Sequence, residues 1–156
     1  MSVPPFQTFL DQHRETVYRF LLFSVGPDEA ADCAQETFLA ALRAYPRLRA
    51  GSSLRAWILT IAHRKAIDVH RARGRRPMPV ADPPDAAVQP PDLPDPALWE
   101  AVGRLPPKQR AAIVLRFVSD LPFRQVGRIV GCSEAAARQN VREGLVRLRE
   151  EWTDDA

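Results

Sequence analysis

A chain of 156 residues with 22 Lys and Arg against 19 Asp and Glu has room for one domain or two small ones and enough apolar residues for modest cores. No apolar run approaches the roughly 20 residues that span a bilayer, and the N-terminus has neither the basic start nor the apolar stretch of a signal peptide, so a cytoplasmic protein with no membrane insertion is expected. Cys33 and Cys132 lie far apart and, with His13, His63 and His70, make no close metal-ligand pattern, which predicts reduced structural thiols, no metal and no cofactor.

After a frayed lead-in, Phe6, Phe9, Leu10, Val17, Phe20 and Leu21 trace one apolar face to about Val25. Gly26-Pro27 ends that helix and primes the next, whose first turn holds Asp28 and Glu29 and whose expected buried stripe is Ala30, Ala34, Phe38, Ala41, Leu42 and Tyr45. Its other side carries Asp32, Gln35 and Glu36, which suit either a solvated face or a protein-docking surface. After the basic loop from Pro46, Ser53 caps a long helix, on which Leu54, Trp57, Ile58, Ile61, Ala62 and Val69 are positioned to pack on the first two. The opposite face is read as Arg55, Arg64, Asp68, Arg71 and Arg75. Trp57 shares a face with Ile61, so core and base-stacking platform both remain open for it.

Charge is unevenly spread. From Arg43 to Arg76 there are ten Arg or Lys against Asp68 alone, and from Arg104 to Arg149 again ten against Asp120, Glu134 and Glu143. Both blocks are candidates to meet a polyanion. Between them, residues 77 to 96 hold eight of the fifteen prolines and no basic residue, the composition of a linker; drawn out as polyproline it would reach about 60 Å.

The second block opens with a short helix at Leu98, Trp99 and Val102. Another starts at Pro106-Pro107, with Ile113, Val114, Phe117 and Val118 as its expected core. Phe123, Val126, Ile129 and Val130 then recur at helical spacing, Gly131 breaks the run, Ser133 is placed to cap, and Ala137, Val141, Leu145 and Leu148 repeat once more. Two short helices about a tight turn fit a helix-turn-helix as well as an ordinary helical hairpin. In the former, Glu134, Arg138, Gln139, Asn140 and Arg142 face the major groove. Acidic Glu150, Glu151, Asp154 and Asp155 read as a solvated tail.

The order of parts from Phe6 to Glu150 resembles the two-domain bacterial sigma factors of the extracytoplasmic-function (ECF) group, in the sigma-70 family. Asp32-Cys33-Ala34-Gln35-Glu36-Thr37-Phe38 is similar to that family's D-x-x-Q-E-x-F segment, which docks on core RNA polymerase. Leu54 to Leu59, continuing through Ala66-Ile67-Asp68, is similar to the helix that opens promoter DNA and reads the upstream-ten element. Leu105 to Arg110, with Leu115-Arg116-Phe117, resembles the start of the domain whose helix-turn-helix reads the upstream-thirty-five element.

The resemblance implies an all-α fold with a sigma2-like three-helix domain over 5–76, a Pro-rich linker over 77–96 and a sigma4-like domain over 97–151. It implies a non-enzymatic initiation factor that partners core RNA polymerase, promoter DNA and an anti-sigma factor. Asp32, Gln35, Glu36 and Phe38 would bind polymerase. Arg49, Arg55, Trp57, Arg64 and Arg71 would serve melting and the upstream-ten contact, and Ser133, Arg138, Gln139, Asn140 and Arg142 the upstream-thirty-five contact. This sequence departs from the family at Arg64, where an Asn is usual, at Pro122 in place of a capping Ser or Thr, at Glu143 in place of a base, and at Ala135-Ala136-Ala137, which lacks a hydroxyl. Two rival readings, a stand-alone helix-turn-helix regulator and a protein-binding adaptor that touches no DNA, each leave part of the charge pattern unexplained.

Overall fold

The computed structural model describes residues 3–51, 53–75 and 95–154. Apart from Asp95 and Pro96, the expected linker lies outside the described residues, as does Asp155 of the expected tail. Every regular element among the described residues is helical, with no strand among them. Helices α1 (Phe6–Val25), α2 (Pro27–Ala44) and α3 (Leu54–Arg75) form one unit, and α4 (Pro96–Gly103), α5 (Pro107–Ile113), α6 (Phe123–Val130) and α7 (Glu134–Asp154) form a second.

The turn from α1 to α2 is made by Gly26 at φ +89°, whose N–H donates to the Leu22 carbonyl at 3.0 Å. Pro27 then takes the first helical position, where its missing N–H would have had no partner. Phe9, Val17, Phe20, Leu21 and Leu22 of α1 are fully buried against Ile58, Leu59 and Ala62 of α3. From α2 come mostly small groups, Ala30, Cys33, Thr37 and Ala41, which let the larger side chains of its neighbours fill the space. The Thr37 hydroxyl is satisfied by donating to the Cys33 carbonyl at 2.7 Å. Burial, reinforced by Glu36 and Glu29, pushes the Cys33 thiol up to about 11, so it stays protonated and unreactive at neutral pH. Ser53 caps α3 as expected, its hydroxyl accepting from the Ala56 N–H at 3.3 Å.

Three expected core residues lie outside the core. Leu42 is 50 % exposed, because only the small-residue face of α2 turns inward. Phe117 is 57 % exposed because α5 widens into a π-helical turn, Val114–Val118, where the Ser119 N–H reaches back five residues to the Val114 carbonyl. The wider turn rotates Phe117 outward while Val114 and Leu115 stay buried. Leu145 is 41 % exposed because Gly144 takes the inward position on α7; a Cβ there would come within 2.3 Å of Ile113 Cδ1. The acidic end also differs from expectation. α7 continues past Glu150, and Glu151 forms an ion pair with Arg104.

The helix-turn-helix is built on two glycines. Gly131 closes α6 in the left-handed conformation (φ +87°, ψ +37°), with its N–H on the Gly127 carbonyl at 2.8 Å. Gly127 faces the turn, where a Cβ would meet the Cys132 carbonyl oxygen at 2.7 Å. That neighbour is backbone and cannot swing aside. Gly127→Ala should therefore destabilise the chain by roughly 1–3 kcal/mol, the usual range for overpacking, read as a lower midpoint in urea; an unchanged midpoint would contradict the tight turn.

The two units touch. α4 and the π turn pack on α1, and α6 packs on α3. Trp99 of α4 is buried to 4 % exposure, and Arg55 of α3 donates to the Ser119 carbonyl across the seam at 3.5 Å.

Candidate nucleic-acid and partner interfaces

Along α1 and α2 runs an open apolar groove of about 740 Å³, lined by Leu10, Tyr18, Ala34, Phe38, Leu39 and Leu42 among others, with Asp11, Arg14, Glu15 and Gln35 as its charged and polar lining; Arg14 pairs with Asp11, and Arg19 with Glu15. Asp32, Gln35 and Glu36 are exposed on α2, and Phe38 is half-buried. Leu39 stands 49 % exposed. It follows Gln35 by four residues and Glu36 by three, so it shares their face. That spacing made Leu39 findable from sequence, although periodicity alone favours assigning such a residue to the core.

On α3 the candidate basic residues divide. Arg64 and Arg71 are exposed, seven residues apart and so on one side of the helix, with Asp68 between them. Arg55 is nine residues before Arg64, about half a turn out of phase. It lies on the side of buried Leu59 and Ala62 and reaches the second unit through Ser119. The sequence reading that placed Arg55 on one face with Arg64 and Arg71 is thus corrected by helical phase. Arg49 is exposed in the loop before α3. Trp57 is half-buried, its ring 5.7 Å from Phe9 and 6.2 Å from Tyr45, so part of the indole joins an aromatic cluster and part faces solvent.

The second helix of the helix-turn-helix begins as the sequence predicts. The Ser133 hydroxyl accepts from the Ala136 N–H at 3.0 Å, leaving its own proton free to donate. Pro122, by contrast, caps α6 without any side-chain bond. Arg138 is exposed and paired with Glu134 at 2.9 Å, and its guanidinium lies 4.8 Å from the centroid of the Phe123 ring. Arg116 stacks on the same ring at 4.6 Å. Gln139 donates to Glu143 at 3.0 Å and Gln109 donates to the same carboxylate at 3.2 Å. Glu143, which replaces a base of the family pattern, therefore serves as an internal acceptor tying α7 to α5. Arg142 is exposed and Asn140 half-buried. The parts played by Phe123, Arg116 and Glu143 had no signal in spacing, because each depends on a contact between elements.

Residues 9–76 match the family description Sigma-70 region 2, and residues 96–148 match Sigma-70, region 4. The ECF RNA polymerase sigma factor BldN of Streptomyces coelicolor is 32% identical over 97% of this chain, which spans 61% of BldN's length. The RNA polymerase sigma factor CarQ of Myxococcus xanthus is 31% identical over 93% of this chain and is covered over 87% of its own length. Among solved structures, the sigma factor RpoE from Bartonella quintana, in complex with the anti-sigma factor NepR, superposes with a TM-score of 0.80 at 25% identity, over 97% of this chain and 98% of that one. The chain belongs to the sigma-70 family of RNA polymerase sigma factors, in its ECF group.

Proposed function

We propose that the chain is a promoter-selecting initiation factor that joins core RNA polymerase and has no catalysis of its own, acting in the cytoplasm. What carries this reading is the coexistence on one chain of two kinds of surface. One is an open apolar groove, with the exposed acids Asp32 and Glu36 on the same helix, suited to a protein; the other is a pair of basic helical surfaces suited to DNA. The domain limits are 5–76 and 97–151, with 77–96 as the span between them.

In this reading the groove and its neighbours Asp32, Gln35, Glu36 and Phe38 receive polymerase. Arg49, Arg64 and Arg71, with the exposed part of Trp57, meet the upstream-ten DNA as it opens, and Arg55 joins them once the two units separate. Ser133, Arg138, Gln139, Asn140 and Arg142 engage the upstream-thirty-five duplex. Phosphate contacts supply affinity, and a few base-edge contacts, each worth roughly 1–3 kcal/mol, supply choice. An anti-sigma factor is the expected regulator, by likeness to the RpoE structure with NepR.

Transcription of a genomic DNA library by core polymerase, with and without this chain, tests the function. A defined set of new start sites is expected. Unchanged transcripts would instead favour a stand-alone regulator using α6 and α7.

A further inference from the structure

The recognition helix carries a hydrogen-bond chain that begins in the core of its own unit. Gln109 of α5 is 8 % exposed, and among the described residues its amide bonds only to Glu143, Nε2 donating to Oε2 at 3.2 Å. Glu143 of α7 accepts again at Oε1, from Gln139 Nε2 at 3.0 Å. Arg142 and Arg147 line the same cleft, yet each carboxylate oxygen is met by an amide. A carboxylate only accepts, so both amides must present nitrogen to it. Taken alone, a Gln and a Glu four residues apart on a helix make a small stabilising contact. Gln109 changes that: a buried amide on a second helix anchors the carboxylate, so Glu143 does not simply follow Gln139.

The consequence falls on Gln139, which is exposed. An amide tip is ordinarily reversible, since half a turn about its last bond exchanges acceptor and donor at nearly the same place. Here Glu143, one turn further along α7, draws the nitrogen toward the C-terminal side and leaves Oε1 and the second N–H for whatever approaches. In the major groove an acceptor is matched by the amino groups of adenine and cytosine and opposed by guanine N7 and O6 and by thymine O4. Adenine alone offers N6–H and the acceptor N7 side by side, so it satisfies the oxygen and the remaining N–H together.

We propose that Glu143 is a positioning residue for the upstream-thirty-five contact: anchored by Gln109, it fixes the Gln139 amide with its oxygen forward, so that this position of the recognition helix selects adenine. The choice of base rests on the promoter-binding reading, whereas the fixed amide is a property of the chain by itself. The inference also gives a use to the departure at Glu143, where the family pattern has a basic residue. A carboxylate there gives up attraction to phosphate, which is blind to sequence, in exchange for selection at one base pair.

In nitrogen-15 NMR of the full chain without DNA, the Gln139 amide proton bonded to Glu143 should resonate downfield of the same proton in Glu143→Ala; coincident shifts would overturn the fixed amide. For the choice of base, core polymerase charged with the full chain recovers duplexes from a pool randomised over one segment, and the recovered sequences are read. The parent should favour adenine at one base pair by roughly tenfold, within the range of a bidentate contact. Gln139→Ala should abolish that preference, and Glu143→Ala should cut it to about twofold by admitting guanine and thymine there, with preferences at other base pairs kept. Glu143→Gln removes the same charge but keeps an acceptor oxygen, so it should retain more of the preference than Glu143→Ala. A gain in affinity uniform across sequences in both Glu143 variants, with the adenine preference intact, would overturn the proposal by reducing Glu143 to a charge that repels phosphate. A cytosine preference lost with Glu143 but kept in Gln139→Ala would overturn it as well, because the carboxylate would then read the base itself. A parent that enriches no sequence while the amide shift is present would overturn promoter binding, and the selection of adenine with it, and leave only the fixed amide.

Discussion

Core RNA polymerase should no longer copurify with a chain carrying Leu39→Glu and Leu42→Glu, although its circular dichroism and urea midpoint stay close to the parent. Both leucines are half-exposed on the groove, so they contribute little to the fold, and exposed substitutions usually shift stability by less than about 0.5 kcal/mol. In a docked complex the same side chains would be desolvated anchors. Losses of about 2 kcal/mol at each, if additive, amount to roughly a thousandfold in affinity. Asp32→Arg with Glu36→Arg should also weaken capture, but through the encounter rate and with a strong salt dependence, as expected of charges at a rim. The two double variants thus separate a groove that holds the partner from a charged face that steers it. Capture undiminished by the leucine changes and abolished by the charge reversals would place the docking contact outside the groove.

The fold was legible in this sequence wherever the signal was local. Gly26-Pro27, Ser53, Gly131 and Ser133 each act through their own backbone or the next turn of helix, and each lies where its chemistry predicted. Periodicity misled where burial was decided by a neighbouring element. Gly144 has no side chain to register as apolar, yet it takes the inward position of α7 because Ile113 comes so close. Phe117 keeps helical spacing with Val114, and a single π turn moves it to the surface. The candidate sites show the same division. Exposure of Asp32, Gln35, Glu36, Arg64 and Arg138 followed from amphipathic pattern, whereas the diversion of Arg55 to Ser119 and the stacking of Arg138 on Phe123 required the fold. The packing of the two units across the Trp99 seam had no sequence signal, since the residues that meet there are separated by the 77–96 span.

Within the recognition helix, Asn140→Ala should alter which bases are preferred, with discrimination at one position falling by roughly 1–3 kcal/mol, or about five- to more than a hundredfold. Arg138→Ala should instead weaken binding across promoter sequences and reduce the salt slope by about one unit, the mark of a lost phosphate contact. The structure adds a refinement. The Phe123 ring restrains the Arg138 guanidinium while Glu134 pairs with it; the ring contact can persist on DNA, so part of the entropy of fixing a long side chain is lost before DNA arrives, whereas the Glu134 pair must be given up to the phosphate. Phe123→Leu removes the ring and keeps an apolar side chain; it should lower affinity about two- to fivefold, in line with an exposed cation–π contact of about 0.5–1 kcal/mol. Its salt slope should match the parent, because Arg138 still reaches the phosphate. Glu134→Gln should act in the other direction, raising affinity by freeing the guanidinium from a competing carboxylate. Fluorescence anisotropy on one promoter duplex and a set of single-base variants, at several salt concentrations, distinguishes these outcomes. Equal, sequence-blind losses for Arg138→Ala and Asn140→Ala would show that Asn140 reads no base, and a Phe123→Leu loss accompanied by a flatter salt slope would show that the ring places Arg138 on the phosphate rather than merely restraining it.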